Sequence, residues 1–228
     1  MKITYLEHSG FLVETAACTI ILDYYKGEIP PLITDMPLYV LASHNHRDHF
    51  NPEIFALRSK YPAVTYILSD DIKTMADESV HYVAPDTAAD FPHFSLKTTG
   101  STDQGVSFLL SFHSGETIFH AGDLNWWTWI GEETEAQGRT MEEQFKKEVA
   151  KLEAYHIDAA FLPLDPRQQE RFFWGFDYYM NRLDIALAFP MHFWGNDKVF
   201  EQLTELEVSR NYRDKVQILR RSGDSCII

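Results

Sequence analysis

The 228-residue chain is poor in cysteine and in basic residues, and it contains no long apolar run. Its two cysteines, Cys18 and Cys226, lie in apolar segments, which favours buried thiols over a disulfide or a reactive pair. Lys and Arg number 20 against 34 Asp and Glu, a formal charge of −14, which argues against a nucleic-acid partner because phosphate binding needs clustered basic side chains. The chain shows no apolar stretch long enough to span a membrane, and its first residues do not form a basic region followed by an apolar one. We therefore expect a cytoplasmic protein that acts on a small molecule without membrane contact.

The hydrophobic content of 45% is enough for a full core, and no low-complexity segment, repeat or linker divides the chain. We therefore expect a single domain over residues 1–228. β-Branched and aromatic residues predict strands at 3–7, 11–15, 19–23, 38–42 and 64–68, near residue 82, and at 94–98, 106–112 and 117–120. Asn51 before Pro52 predicts the start of a helix, and Ser69 predicts the cap of a second, short helix.

Helices and strands alternate in the final third of the chain. Thr140 with Glu143 forms a capping box, and apolar spacing from Met141 to His156 predicts a helix that ends near residue 155. Strands are predicted at 157–162 and 185–189, with a helix that opens at Asp165-Pro166 between them. Strands in both halves, with helices interposed and appended, indicate an α/β fold, a four-layer αββα sandwich.

The segment HNHRDH at residues 44–49 directly follows the predicted strand at 38–42 and holds three imidazoles and a carboxylate. His44 and His46 are two apart, so an extended segment directs both rings to one side, while Asp48 and His49 reach a second position from a turn. The alternative is a solvated polar loop between a strand and a helix. The density of these ligand types favours a site for two adjacent cations.

Three motifs together resemble the metallo-β-lactamase-fold hydrolase superfamily, in particular its lactonase-like branch of bacterial metal-dependent hydrolases. They are HNHRDH at 44–49, FHAGD at 119–123 and PMH at 190–192, and the segments LEHSGFLVE at 6–14 and ILD at 21–23 are similar to that branch as well. The resemblance spans nearly the whole chain. It implies that His44 and His46 serve a first metal and that Asp48, His49 and His192 serve a second. It also implies that Asp123 bridges the two.

The chain departs from this pattern at one ligand of the first metal. Relatives usually carry a further histidine before the strand that corresponds to 106–112, where this chain reads GSTDQG at 100–105. One hypothesis is that Asp103 replaces it as an oxygen ligand, which suits manganese or iron better than an all-imidazole set does. The other is that this segment is only a turn and leaves the first position weak or empty. We expect His93 and His113 to be solvated or structural rather than ligands.

A divalent ion in such a site, zinc by default, lowers the pKa of bound water from about 15.7 toward about 7 and polarises the bond under attack. This chemistry predicts an enzyme that hydrolyses a small ester, lactone or phosphodiester, with one or two metal ions as cofactors. Asp48 or Asp123 would orient the nucleophile, and Asp48 is the preferred proton acceptor if only one metal is bound.

Further residues are candidates for supporting roles, each with core packing as the alternative. His8, Asp23 and His120 are candidates to hold the ligating imidazoles from the outer shell. The aromatic run after Asp123 predicts that Asn125 and Trp126, with Trp127, Trp129, Phe193 and Trp194, line the mouth of the site. Arg167 is a candidate to bind an anionic substrate, positioned by Asp165.

Two rival functions remain open at this stage. One is a non-catalytic ligand-binding descendant of the fold that kept part of the metal shell. The other is an iron-dependent oxidoreductase, because a carboxylate-rich shell suits iron. The aromatic residues at 172–179 fit a buried face or a contact between copies of the chain, so a homo-oligomer is a further hypothesis.

Overall fold

The computed structural model describes residues 1–74 and 77–228, and it contains two β-sheets that pack face to face. The seven strands of the first sheet run in the order β13-β1-β2-β3-β4-β5-β6, and the six of the second run in the order β12-β11-β10-β9-β8-β7. The α/β sandwich predicted from the sequence is confirmed. The strands are β1 (Lys2–Glu7), β2 (Gly10–Glu14), β3 (Thr19–Leu22), β4 (Leu38–Ala42), β5 (Val64–Ser69), β6 (Val80–Val83), β7 (Ala88–Phe91), β8 (Phe94–Gly100), β9 (Val106–Phe112), β10 (Thr117–His120), β11 (His156–Pro163), β12 (Asp184–Met191) and β13 (Ser225–Ile227).

The main core lies between the two sheets and is rich in aromatic side chains. Alternate residues of β2 belong to different cores: Phe11 faces the second sheet, whereas Leu12 faces the outer side of the first. The rings of Phe11 and Phe161 lie 4.5 Å apart across the interface between the sheets. Both faces of the first sheet are therefore buried, which explains why its strands read as continuous apolar runs.

Helices cover the outer face of the second sheet. They are α1 (Glu135–Ala150) and α2 (Trp174–Arg182), and a third helix, α3 (Lys198–Glu205), packs through Phe200 against Phe193, with ring centroids 4.8 Å apart. The Tyr179 ring of α2 lies 5.9 Å from Phe119 of β10 and 5.1 Å from Phe145 of α1, so these three residues join the helices to the sheet. The outer face of the first sheet is covered by a 3₁₀ helix (Pro52–Ser59), and further 3₁₀ helices occupy Pro166–Arg171, Glu207–Asn211 and Arg213–Lys215.

Several local predictions need correction. The capping box of α1 is formed by Thr134 and Gln137, not by the predicted pair Thr140 and Glu143. Both segments have the same T-x-x-E/Q pattern, and the upstream one starts the helix. His156 does not continue α1 but begins β11. Asn51 caps its helix as predicted, although the helix is 3₁₀ rather than α.

The short helix predicted after Ser69 is not observed in the described part of its segment. Ser69 is the last residue of β5, and residues 70–74 form a turn and an irregular stretch. Met75 and Ala76, which the prediction also covers, lie outside the described residues. Among the described residues, no helix is both long and apolar enough to cross a membrane.

Parallel strands deliver the candidate site residues to one edge of the sandwich. β3 and β4 are parallel in the first sheet, and β10, β11 and β12 are parallel in the second. Because parallel strands end at the same edge, Asp23, the segment 44–49, Asp123, Asp165 and His192 all follow strand ends there. The loop between β8 and β9, which contains Asp103, lies at the same edge.

Gly105 lets the loop that carries Asp103 lie against the segment that carries His44. Its φ is +68°, and a Cβ at this position would lie 1.9 Å from the carbonyl oxygen of Ser43 and 2.6 Å from Cβ of His44. Val106 also donates its backbone N–H to that Ser43 carbonyl at 2.9 Å. Only glycine permits this approach between the two ligand-bearing segments.

We predict that Gly105→Ala destabilises the fold by about 3 kcal/mol, because left-handed strain adds to a backbone clash. Gly131→Ala is the matched control: its φ is +82°, but nothing lies within 4 Å of the added Cβ. The free energy of unfolding of this control is expected to fall by only about 1 kcal/mol. Urea denaturation of both variants measures the free energy of unfolding. Equal losses in the two variants would show that the close approach to Ser43 does not contribute to the destabilisation.

Candidate metal centre

Two groups of potential ligands lie side by side at this edge. In each group, one donor atom per residue lies within 4.8 Å of every other. We call these groups the first position and the second position. The first position consists of His44, His46, Asp103 and Asp123, and the second consists of His8, Asp48, His49 and His192.

Asp123 lies between the two positions. Its Oδ2 is 3.5 Å from Nε2 of His44, while its Oδ1 is 3.1 Å from Nε2 of His49 and 3.3 Å from Nε2 of His192. One carboxylate oxygen therefore faces each position, which is the arrangement that a bridging ligand requires. Its role as the bridge remains a prediction, and this geometry fits it.

The donor atoms are buried and lack hydrogen-bond partners within residues 1–74 and 77–228. These atoms are Nε2 of His8, His44, His49 and His192, together with Oδ1 of Asp123. Buried polar atoms almost always have partners in folded proteins, so five such atoms directed at the two positions fit a site for cations. The imidazole and carboxylate donors suit zinc, manganese or iron. The residues present therefore fit the metal site that the sequence predicts.

The structure brings Asp103 to the first position. Oδ2 of Asp103 lies 3.5 Å from Nδ1 of His46, and both side chains are about half exposed, at 44% and 40%. Thr102 fixes the loop, because its hydroxyl donates to the carbonyl oxygen of Asn125 at 2.6 Å and accepts from the Asn125 N–H at 2.9 Å. Asp103 is thus positioned as the oxygen ligand that the sequence suggested, although its role as a ligand remains a prediction.

Charges at the centre offset the cost of burial. Burial alone would raise the pKa of Asp123, but the imidazoles of His49 and His192 hold it well below its usual range. Burial would likewise lower the pKa of His49, but Asp123 and Asp23 raise it well above the ordinary value. Burial and the neighbouring His49 lower the pKa of His44 to about 4, so this ring is neutral near pH 7.

Buried carboxylates hold two of these imidazoles through their second nitrogens. Asp23, which is fully buried, accepts from Nδ1 of His49 at 2.6 Å and from the Ser43 N–H and hydroxyl at 2.7 and 2.6 Å. Asp165 accepts from Nδ1 of His192 at 2.8 Å. Such bonds fix the tautomer and direct Nε2 toward the metal position.

The contact between Asp165 and His192 was missed by the sequence reasoning. Asp165 was assigned there as a helix cap and as a partner of Arg167, and it does make both of these contacts. The available signal was its place directly after a parallel strand, beside the strand that ends at His192.

His8 and His120 are placed differently from the predicted outer-shell role. His120 contacts no ligating imidazole: its Nε2 bonds the Ser9 carbonyl at 2.9 Å, and its Nδ1 lies 3.8 Å from Oδ2 of Asp23. Because Nδ1 accepts the Gly122 N–H at 3.1 Å, it has no proton to donate to Asp23, and His120 instead holds the backbone of Ser9 and Gly122. His8 directs Nε2 into the second position, 3.2 Å from Oδ2 of Asp48.

Strained backbone is concentrated around the centre. His8, Asp23, His192 and Trp194 have φ values of 56°, 41°, 64° and 53°, in the left-handed region that side chains other than glycine rarely adopt. Each such residue costs about 1–3 kcal/mol and persists only where the surroundings fix it. Among the described residues, six positions other than glycine have positive φ; these four lie in the turns at the centre, and the other two are Asp86 and Gln169.

A cavity of about 350 Å³ opens onto the centre. Trp127 and Trp129 form one wall, with ring centroids 5.9 Å apart and nearly parallel planes. The residues that line it are His46, Asp48, Thr102, Asp103, Asp123, Trp127, Trp129, Met141, Arg167 and His192.

Asn125 and Trp126 do not line this cavity, which corrects the prediction that they form its mouth. Asn125 is buried and donates through its amide to Gln168 at 2.9 Å. Trp126 points the other way and packs 5.4 Å from Trp174. The backbone turns here, because the Trp127 N–H bonds the Asn125 carbonyl at 3.0 Å, and Trp127 and Trp129 are the residues of this segment that line the cavity.

Arg167, the candidate to bind an anionic substrate, lines the cavity, but its guanidinium is already paired with Asp165. Nε donates to both oxygens of Asp165 at 3.0 and 2.9 Å, and Nη2 bonds Oδ2. The guanidinium carbon also lies 4.6 Å from the centroid of the Trp194 ring. A bidentate grip on an anionic substrate would therefore first require the pair with Asp165 to break.

The two packed sheets and the centre at their edge define a metallo-β-lactamase type of protein. A model of the beta-lactamase superfamily domain matches residues 2–173. The chain therefore belongs to the beta-lactamase superfamily, as the motifs predicted.

Known relatives agree with this assignment. The chain is 27% identical over 141 residues to a UPF0173 metal-dependent hydrolase from Desulforamulus reducens. The alignment covers 54% of this chain and 62% of that protein, so it spans less than two thirds of the relative.

Solved structures share the fold at low sequence identity. The metallo hydrolase Igni18 from Ignicoccus hospitalis superposes with a TM-score of 0.65 at 16% identity, covering 99% of this chain and 97% of the other. A metal-dependent hydrolase of Parabacteroides distasonis gives 0.66 at 15% identity, covering 96% and 92%. CmlA, a diiron β-hydroxylase from Streptomyces venezuelae, gives 0.61 at 12% identity, covering 100% of this chain and 54% of CmlA. At these identities the likeness shows the fold alone.

We predict that Asp23→Asn destabilises the protein by about 3 kcal/mol and weakens metal binding by about 10- to 100-fold, because an amide cannot serve all three donors. The pKa of Asp23 is lowered, so its contribution is present above pH 3.8 and is lost as the pH falls through the folded-state pKa. The difference in unfolding free energy between the wild type and Asp23→Asn should therefore become smaller at acidic pH.

Asp184→Asn is the matched control for this experiment. Asp184 bonds Nδ1 of His156 at 2.7 Å, but both side chains are exposed. An exposed pair of this kind contributes little, so the control should unfold like the wild type. Denaturation at several pH values and metal titration provide the measurements, and equal losses in the two variants would refute the role of Asp23.

Proposed function

We propose that this protein is a metal-dependent hydrolase that holds two divalent cations, zinc by default, and cleaves a small-molecule ester, lactone or phosphodiester. The observation that carries the proposal is the convergence of buried, unpartnered imidazole nitrogens on Asp123 at a cavity. Membership of the superfamily and the similarity to a metal-dependent hydrolase support it.

Bound cations would lower the pKa of a water molecule to about 7 and polarise the bond it attacks. The chain supplies the remaining functions. Burial would raise the pKa of Asp48, but His8 and His49 lower it strongly, so the carboxylate stays ionised and can orient a water molecule that faces the cavity. Burial and the charges of Asp123 and Asp48 raise the pKa of Asp103, so bound cations would relieve the repulsion among these carboxylates.

The cavity favours a substrate with a flat or apolar part and little negative charge. Trp127 and Trp129 offer a stacking wall, and Met141 adds an apolar contact. The charge of Arg167 is offset by Asp165, which leaves Nη1 as the nitrogen outside that pair. Arg167 therefore fits a single hydrogen bond to a substrate oxygen better than a grip on a dianion.

An iron-dependent oxidoreductase is the second candidate, and one observation favours it. Asp103 stands where an imidazole is usual, so the two positions together offer three carboxylates, Asp48, Asp103 and Asp123. Oxygen-rich shells suit iron or manganese. Metal identity in the purified protein separates this candidate from a zinc hydrolase.

We predict that untagged protein binds two ions per chain and that Asp103→Ala binds one, because the first position then keeps only His44, His46 and the shared Asp123. Elemental mass spectrometry measures identity and stoichiometry together. Asp214→Ala, which removes an exposed carboxylate outside the cavity, should keep both ions. Two ions in Asp103→Ala would mean that the β8–β9 loop is only a turn.

We predict that the metal-loaded protein hydrolyses at least one member of a panel of nitrophenyl esters, lactones and bis(nitrophenyl) phosphate. Asp48→Asn should lower kcat by about 100-fold or more, as expected for loss of a group that orients or accepts a proton. Chelation should abolish turnover and added metal should restore it. A protein that binds metal but turns over no substrate would favour the non-catalytic binding alternative.

A further inference from the structure

We propose that His8 is itself a metal ligand, which completes the shell of the second position. This inference rests on the proposed function in that it requires a bound cation. The sequence assigned His8 to the outer shell, and the superfamily motifs on which the ligand set was based do not include it.

The backbone of His8 is held in place from two sides. It lies in the tight turn between β1 and β2, with φ at 56°. Its N–H donates to the Tyr5 hydroxyl at 2.6 Å, and its carbonyl accepts from the N–H of His192 at 3.3 Å. The turn that carries His8 is therefore bonded directly to the turn that carries a predicted ligand.

The side chain is enclosed, and its Nε2 points at the other ligands. The His8 ring is 3% exposed and lies 4.1 Å from the His192 ring and 4.4 Å from Trp194, centroid to centroid. Nε2 is 3.2 Å from Oδ2 of Asp48. Two donors that each lie about 2.1 Å from one cation are roughly 3.0 to 3.4 Å apart, so the spacing between His8 and Asp48 fits a common ion.

An outer-shell hydrogen bond explains these contacts less well. The approach of His8 to Asp48 lacks hydrogen-bond geometry, and Nε2 has no hydrogen-bond partner among the described residues. An outer-shell residue would contact the second nitrogen of a ligand, as Asp23 and Asp165 do. His8 instead presents Nε2 to the same space as His49 and His192.

Five protein donors then surround the second position. Three are imidazoles, of His8, His49 and His192, and two are the carboxylates of Asp48 and Asp123. A position filled in this way is closed, whereas catalytic positions keep an open site. Both positions reach the cavity, the first through His46 and Asp103 and the second through Asp48 and His192, whereas His8 and His49 do not line it.

The test compares His8→Asn and His8→Gly with the wild type. Both variants tolerate the left-handed backbone at this turn, so at least one should fold. His113→Ala, at an exposed turn, is the matched control for loss of a histidine. The readouts are the affinity for each zinc ion, by competition with a chromophoric chelator, and the visible absorption spectrum of the cobalt(II)-substituted protein.

We expect both variants to keep one ion at wild-type affinity and to bind the other more than ~100-fold more weakly, beyond what an outer-shell partner contributes. The cobalt spectrum of the weakened position should change as a nitrogen donor is lost. A loss of about 100-fold or less with an unchanged spectrum would assign His8 to the outer shell and overturn the inference. A wild-type protein that binds no ion at all would overturn the proposed function as well.

Discussion

The buried carboxylate of Asp23 is the contact on which the geometry of the centre depends. It is fully inaccessible, follows β3 in the first sheet, and binds Ser43 and His49 from the neighbouring strand end. Such a charge is tolerable in the interior only because these donors bind it. The single carboxylate therefore fixes the start of the HNHRDH segment and the direction of one imidazole, and through His49 it sets the distance to Asp123.

Asp165 holds an imidazole at the edge of the second sheet, as Asp23 does at the edge of the first. It follows β11, binds Nδ1 of His192 from the neighbouring strand end, and is itself held by Arg167. The centre is thus built from two similar pairs, each made of a buried carboxylate and an imidazole on adjacent parallel strands. Because the sheets are joined by an aromatic core, the separation of the two pairs is set by packing rather than by the loops.

The sequence predicted the sandwich, most strands and the residues that converge at the centre, because these depend on local periodicity and on a dense motif. It placed the N-cap of α1 at Thr140 instead of Thr134, because the two residues offer the same local signal and tertiary packing chooses between them. It also could not decide the direction of His8 or Trp126. The direction of a side chain in a turn or an extended loop depends on contacts with distant segments, such as Trp174 for Trp126 and His192 for His8.

The centre lowers the stability of the fold, and this loss of stability is itself an argument for its function. Several residues around it are strained, at about 1–3 kcal/mol each, and an unsatisfied buried polar atom costs a similar amount. Both kinds of cost are concentrated at one edge, whereas the core between the sheets is apolar. A cation that binds only the folded chain would satisfy those atoms and add its binding free energy to stability. Metal binding would therefore be coupled to folding, and an ion shared by His8 and His192 would offset the strain of the turns that carry them.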